Sequence, residues 1–218
     1  LNQLAQSAVT NGITRLEKNL KIADPKLLEG ALASVDHRTG AIVALIGGKN
    51  YSQSTFNRIL NMKRQVGSTF KPFVYLSAFK KGRSPRDVPY GPGYPMQDAK
   101  WKLIYDNGRQ TWEPENYEKE YRGWITLREA LTHSINTVAA RLGTEVGYNL
   151  IIETAKQLGI HSELLPVPAL SLGIAELSPV ELLRAYSTLA NRGVQDELTV
   201  IRGITLDDGT GYARFVYN

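Results

Sequence analysis

The sequence predicts an α+β domain, and three observations carry that reading. Two short runs rich in β-branched residues, 31–35 and 41–46, flank a five-residue turn segment. Several longer stretches repeat apolar residues at helical spacing. The hairpins stand apart from the helices rather than alternating with them. At 218 residues, 42% apolar and 22% charged, the chain is long enough to bury a continuous core without disulfides or metals.

Taken in order, Leu1, Leu4, Ala8, Val9, Ile13, Leu16 and Leu20 follow helical spacing and predict an amphipathic helix over 2–20, broken by Asp24-Pro25. Asp36-His37-Arg38-Thr39-Gly40 separates the two strand runs, with Gly40 where a hairpin turn needs a left-handed residue. Residues 69–81 read as a mostly apolar helix (Phe70, Phe73, Val74, Leu76, Ala78) ending near Gly82, buried on most sides. Residues 82–124 are rich in Pro, Gly, Tyr and Trp without a clean period, and read as a long functional loop region. Thr126 and Glu129 form a capping box that opens a helix through Leu131. Further helices are expected over 137–146 and 148–158, each followed by a glycine. Ser178, Pro179 and Glu181 supply an N-cap, a first-turn proline and a capping box for a helix reaching Asn191. A second hairpin is expected from 199–206 and 212–217 around Asp207-Asp208-Gly209.

Composition narrows the chemistry. The chain has no cysteine, which excludes disulfides, Cys-ligated zinc, thiol nucleophiles and iron–sulfur clusters. Its 26 basic and 21 acidic residues give a net charge of +5. That charge is spread along the chain, with no block of five like charges, so a dedicated nucleic-acid arm is not expected. The longest apolar stretch, Ala41–Ile46, falls far short of the roughly 20 residues that cross a bilayer. The chain opens Leu1-Asn2-Gln3 with no signal peptide and no initiator Met, and reads as an excised piece of a longer chain.

The strongest local candidate for chemistry is Gly67-Ser68-Thr69-Phe70-Lys71-Pro72. With Ser68 opening a helix, Lys71 lies three residues on, on the same face and about 5–6 Å away at Cβ. A desolvated lysine can take the proton of a serine nucleophile, and backbone N–H groups at a helix start can receive an oxyanion. The spacing alone is weak: Ser77 and Lys80 repeat it, and read as a mid-helix serine and a solvated lysine. Ser68 by itself could equally be an N-cap. Ser134-Ile135-Asn136 places a hydroxyl and an amide at a corner between two helices, suited to proton relay and substrate orientation or simply to capping the second helix. His37, His133 and His161 have no partner pattern, and His133 reads as a helix-end residue. Tyr90, Tyr94, Trp101, Tyr105 and Trp112 read as anchors of a small core before they read as a carbohydrate platform.

Together, Ser-x-x-Lys and Ser-x-Asn match the signature of penicillin-binding proteins and serine β-lactamases. The segment Arg64 to Phe73 resembles the active-serine segment of class A, bifunctional penicillin-binding proteins. Phe56-Asn57-Arg58 and the hairpin from Ala33 to Gly48 fit that family, as does Pro114-Glu115-Asn116-Tyr117 with Thr126 to Leu131. Leu170 to Gly173, Leu177 to Leu182 and Ala190 to Gly193 continue the resemblance, which covers roughly residues 29–205. Two departures stand out: Val66 replaces an expected proline, and no Lys-Thr-Gly occurs in the 218 residues. The Glu-x-x-Leu-Asn setting of a deacylating β-lactamase glutamate is not supplied by Glu113-Pro114-Glu115-Asn116.

The resemblance implies the penicillin-binding transpeptidase fold, an antiparallel sheet packed with helices, over 29–218, with its third motif beyond Asn218. Residues 1–28 would be a linker following a glycosyltransferase domain. It implies a D,D-transpeptidase in which Ser68 attacks the D-Ala-D-Ala terminus of a peptidoglycan stem peptide. Lys71 would be the base, Ser134 the proton relay and Asn136 the holder of the donor amide. β-Lactams would acylate Ser68, and no metal or organic cofactor is implied. The location would be extracytoplasmic, with membrane anchoring through the parent protein and a C-terminal segment carrying the third motif as partner. A D,D-carboxypeptidase, or a non-catalytic module binding cell-wall or divisome proteins, are the alternatives.

Overall fold

A computed structural model describes residues 1–24, 28–201, 203–205 and 212–214, the last two segments as backbone. The chain divides into two compact units. The first comprises Leu1–Lys63, Leu158–Ile160 and Leu177–Asn218, and the second Arg64–Gln157 and His161–Glu176.

In the first unit, helix α1 (Asn2–Asn19) packs on the hairpin of β1 (Leu32–Asp36) and β2 (Ala41–Ile46). The helix stops at Asn19, ahead of the expected break, and Pro25 lies outside the described residues. Ala5 and Val9 of α1 meet Ala44 and Ile46 of β2 and Leu32 of β1, forming a small apolar core. The strands pair antiparallel, with a register shift between Ser34 and Val35. Gly40 has φ +66°, and a Cβ there would collide with the Glu197 carbonyl, so the turn requires glycine twice over. Lys49 at the end of the hairpin bonds Glu17 of α1 at 2.6 Å, with both side chains largely shielded from water. Asn57 caps the short α2 (Arg58–Asn61) by accepting from Ile59 N–H and Leu60 N–H.

Of the expected C-terminal hairpin, Gly203–Thr205 and Tyr212–Arg214 do pair antiparallel. Its turn at 207–209 lies outside the described residues. The helix over Pro179–Ala190, also in this unit, carries the full reciprocal cap at Ser178 and Glu181.

The second unit opens with the two-residue strand β3 (Arg64–Gln65) and a 3-10 turn over Gly67–Phe70, followed by α3 (Lys71–Lys81). Residues 82–124 are not a structureless loop. They hold β4 (Pro95–Asp98), β5 (Leu103–Tyr105) and β6 (Gln110–Trp112), and β7 (Gly123–Thr126) begins inside their end. β4 pairs with β7 and β5 with β6, both antiparallel. β4 alternates exposed and buried residues, with Met96 and Asp98 inward. The β5–β6 turn uses Asp106, Asn107 and Gly108, all at positive φ, so Asn-Gly was the signal for this hairpin.

Helices α4 (Leu127–Thr132), α5 (Asn136–Val146) and α6 (Tyr148–Gln157) complete the unit, with a 3-10 turn over Pro168–Leu172. At α4 only half of the expected capping box forms. Thr126 accepts from Glu129 N–H, while the Glu129 carboxylate turns toward Arg122 at 3.9 Å. The core is built where α3 packs on α5, from Phe70, Phe73, Val74, Ala78, Val138, Ala139 and Leu142, all fully buried. Phe70 and Phe73 meet edge to face at 5.2 Å. Helix α7 (Pro179–Ala190) belongs to the first unit, where it packs against β1 and α2. Among the described residues, no helix is long and apolar enough to cross a membrane.

Candidate active site

Ser68 does not open an α-helix, as the sequence suggested, but sits in the 3-10 turn before α3. In a 3-10 turn residues i and i+3 eclipse, so Ser68 and Lys71 are still aligned on one side. The Lys71 N–H donates to the Ser68 carbonyl across that turn. Phe70 anchors the turn in the core, leaving Ser68 exposed. A backbone clasp fixes its entry: Val66 N–H donates to Ala175 O at 3.1 Å and Gly67 N–H to Gly173 O at 2.9 Å. Gly173 has φ +77°, and a Cβ there would strike the Gly67 backbone. Glycine is therefore what lets the 168–173 segment lie directly against the serine turn.

Lys71, the first residue of α3, is only 1% exposed. Its Nζ donates to Ser134 Oγ at 2.9 Å, to Ser134 O at 2.5 Å and to Asn136 Oδ1 at 2.6 Å. The three N–H donors of the ammonium are thus matched by three neutral oxygens. Ser134 presents both its oxygens to Nζ because it adopts φ +53°, a left-handed conformation that costs a non-glycine residue about 1–2 kcal/mol. Burial pushes Lys71 down from 10.5 to about 8.

The corner is capped differently from either sequence expectation. Neither Ser134 nor Asn136 caps α5, whose N-cap position is Ile135 with no side-chain bond of its own. The side chain of Asn116 does the work, its Oδ1 accepting from Asn136 N–H at 3.0 Å and Thr137 N–H at 3.2 Å. Asn136 Nδ2 donates to Glu115 O at 2.9 Å, which orients the amide so that Oδ1 faces Lys71. One Nδ2–H and one Oδ1 lone pair remain for a substrate.

Ser68, Ser134 and Asn136 line a cleft of about 430 Å³ together with Asn116, Arg122 and His133. The same cleft is walled by Tyr117, 98% exposed, and by Glu118 and Glu120. His133 is the C-cap of α4, as its helix-end reading expects. Ser77 is buried and donates to Phe73 O at 2.7 Å, and exposed Lys80 bonds Gln157, so that pair lies outside the cleft. Tyr90 and Tyr94 are buried against each other with ring centroids 4.9 Å apart, and Arg141 lies 5.0 Å over Trp101. Tyr90 and Tyr94 thus pack as buried anchors, whereas Trp101, Tyr105 and Trp112 stay partly exposed. Among the described residues, no three His, Asp or Glu side chains cluster to hold a metal. Sequence reasoning missed Asn116 and Asp98 as parts of the site. Pro114-Glu115-Asn116-Tyr117 stood out in the sequence, but nothing local gave its asparagine a role.

Comparison with known proteins adds an independent line. The family model described as the penicillin binding protein transpeptidase domain matches residues 30–212. Penicillin-binding protein 1A of Aquifex aeolicus is 40% identical over 183 residues, covering 84% of this chain and 24% of that protein. Penicillin-binding protein 1B of Haemophilus influenzae is 37% identical over 201 residues, covering 92% of this chain and 25% of that protein. The chain therefore spans about a quarter of the length of these relatives. The crystal structure of penicillin-binding protein 1A from Haemophilus influenzae superposes with a TM-score of 0.76 at 33% identity, covering 83% of this chain and 26% of that one.

Proposed function

The chain belongs to the penicillin-binding protein transpeptidase domain family, and on that premise we propose that it carries the serine and lysine of a peptidoglycan D,D-transpeptidase. The observation that carries this reading is the convergence of Lys71 Nζ on Ser134 Oγ and Asn136 Oδ1 beside a cleft lined by Ser68. These groups come from segments more than 60 residues apart, and a lysine is desolvated among them. Burying an ammonium with no carboxylate against it costs stability, and a purely binding module has no use for that cost.

In this mechanism Ser68 Oγ attacks the carbonyl of the penultimate D-Ala. Neutral Lys71 takes the serine proton, and Ser134, bonded to Nζ at 2.9 Å, passes a proton to the departing D-Ala amine. Asn136 holds Lys71 through Oδ1 and offers its free Nδ2–H to the donor peptide. The acyl group on Ser68 then passes to an amine of a neighbouring stem peptide, or to water in a carboxypeptidase side reaction. A Lys-Thr-Gly strand elsewhere in the parent protein would hold the substrate carboxylate and supply an oxyanion N–H. On this reading the reaction takes place outside the cytoplasmic membrane, and β-lactams are substrate mimics that acylate Ser68.

Fluorescent penicillin followed by a denaturing gel tests the reading. A covalent band in the wild-type protein that disappears in Ser68→Ala supports it. No band from the wild type would leave the non-catalytic module as the better account.

A further inference from the structure

Asp98 ends β4 with its side chain 1% exposed. Burying a carboxylate is costly unless donors replace its water. Three neutral donors do so: Thr137 Oγ1–H at 2.5 Å and Asn116 Nδ2–H at 2.7 Å reach Oδ1, and Arg122 N–H at 2.9 Å reaches Oδ2. Two of these donors belong to the N-terminal end of α5 or to the residue that caps it.

Asn116 has no freedom in this arrangement. Its Nδ2 donates to Asp98 Oδ1 and to Glu120 O at 2.8 Å, while its Oδ1 accepts the Asn136 and Thr137 N–H groups. A flipped amide would set oxygen against two acceptors and nitrogen against two donors, so a single orientation satisfies all four bonds. That orientation fixes the backbone of Asn136, whose Oδ1 receives Lys71 Nζ at 2.6 Å. The chain of contacts runs from a buried carboxylate, through one amide, to the base.

We propose that Asp98, acting through Asn116, is a positioning residue that sets the start of α5 so that Asn136 and Ser134 meet Lys71. Its role in acylation rests on the acyl-transfer reading above, whereas its hold on α5 does not. Asn116→Asp breaks the tie to Asp98 and, with it, the bond to Glu120 O. The new carboxylate can still accept the α5 N–H groups, but it cannot donate to Asp98 and faces it with like charge. Adding Asp98→Asn exchanges donor and acceptor across the tie and restores that bond, while the bond to Glu120 O stays lost.

The test measures acylation by a chromogenic cephalosporin in stopped flow, with hydrogen exchange of the 134–142 segment read by mass spectrometry. A displacement of about 1 Å near a reacting group can cost about 10²-fold. Asn116→Asp should therefore slow the acylation step about 100-fold, leave the docking constant within about threefold, and speed exchange at the start of α5 about tenfold. The double exchange should recover the share of both losses that the tie to Asp98 carries, about tenfold in rate. Asn116→Asp with wild-type rate and wild-type protection overturns the proposal, as does a double exchange that recovers neither. If the wild-type protein is not acylated at all, the acyl-transfer reading fails, and the exchange rates of the same three proteins still decide whether Asp98 holds α5.

Discussion

Acidification should switch off acylation of Ser68 with a midpoint near pH 8, far below that of a solvated lysine. Lys71 is buried and held by three neutral oxygens, and burial brings its pKa from 10.5 to about 8. The sign follows from the role. A general base must be neutral, so loss of the lysine proton creates the active form and the rate rises with pH. With a pKa near 8, about 90% of Lys71 is neutral at pH 9, about 9% at pH 7 and about 1% at pH 6. The acylation rate constant should therefore fall roughly tenfold from pH 9 to pH 7, and roughly another tenfold to pH 6. A lysine at its ordinary value would instead give a rate still climbing about tenfold per unit between pH 8 and pH 9.5. Stopped-flow acylation by a chromogenic cephalosporin from pH 5.5 to 9.5, corrected for the reagent's own hydrolysis, measures this directly. Lys71→Arg keeps a cation but removes the base, and should lose about 10²–10⁴-fold at pH 8.5. A flat wild-type profile from pH 6 to 9, or a midpoint that persists in Lys71→Arg, would refute the reasoning.

Three other perturbations follow from the same geometry. Ser68→Ala should abolish the penicillin adduct in intact-mass spectra, whereas Ser77→Ala, which removes a buried bond to Phe73 O, should leave labelling intact. Gly173→Ala forces a side chain into the Gly67 backbone at φ +77°, and should cost about 2 kcal/mol or more in melting experiments while slowing labelling about tenfold. Ser178→Ala removes the reciprocal cap of α7 and should lower stability by about 1 kcal/mol without changing the acylation rate.

The sequence by itself determined what depends on neighbours in the chain. Apolar spacing marked α1, an apolar run ending at Gly82 marked α3, closing glycines marked α5 and α6, and the Ser178–Glu181 cap marked α7, because each of these signals lies within the helix or at its ends. Gly40 and the runs around it marked the β1–β2 hairpin, because its turn is closed within five residues. Ser68 and Lys71 share a spacing that Ser77 and Lys80 repeat, and the family resemblance of the segment around Ser68 singled out the first pair. The β4–β7 pairing was not legible: Met96 and Ile125 meet across 29 positions, and each strand is only four residues long. Tertiary structure also decided the chemistry. Lys71 is separated from Ser134 by 63 positions and from Asn136 by 65, and its low pKa comes from burial that no local pattern encodes. Asn116 lies in a segment that resembles the family, but no local pattern gives its amide a role. Only the fold, by setting Asp98 on one side and the start of α5 on the other, supplies donors and acceptors in the order its amide can satisfy.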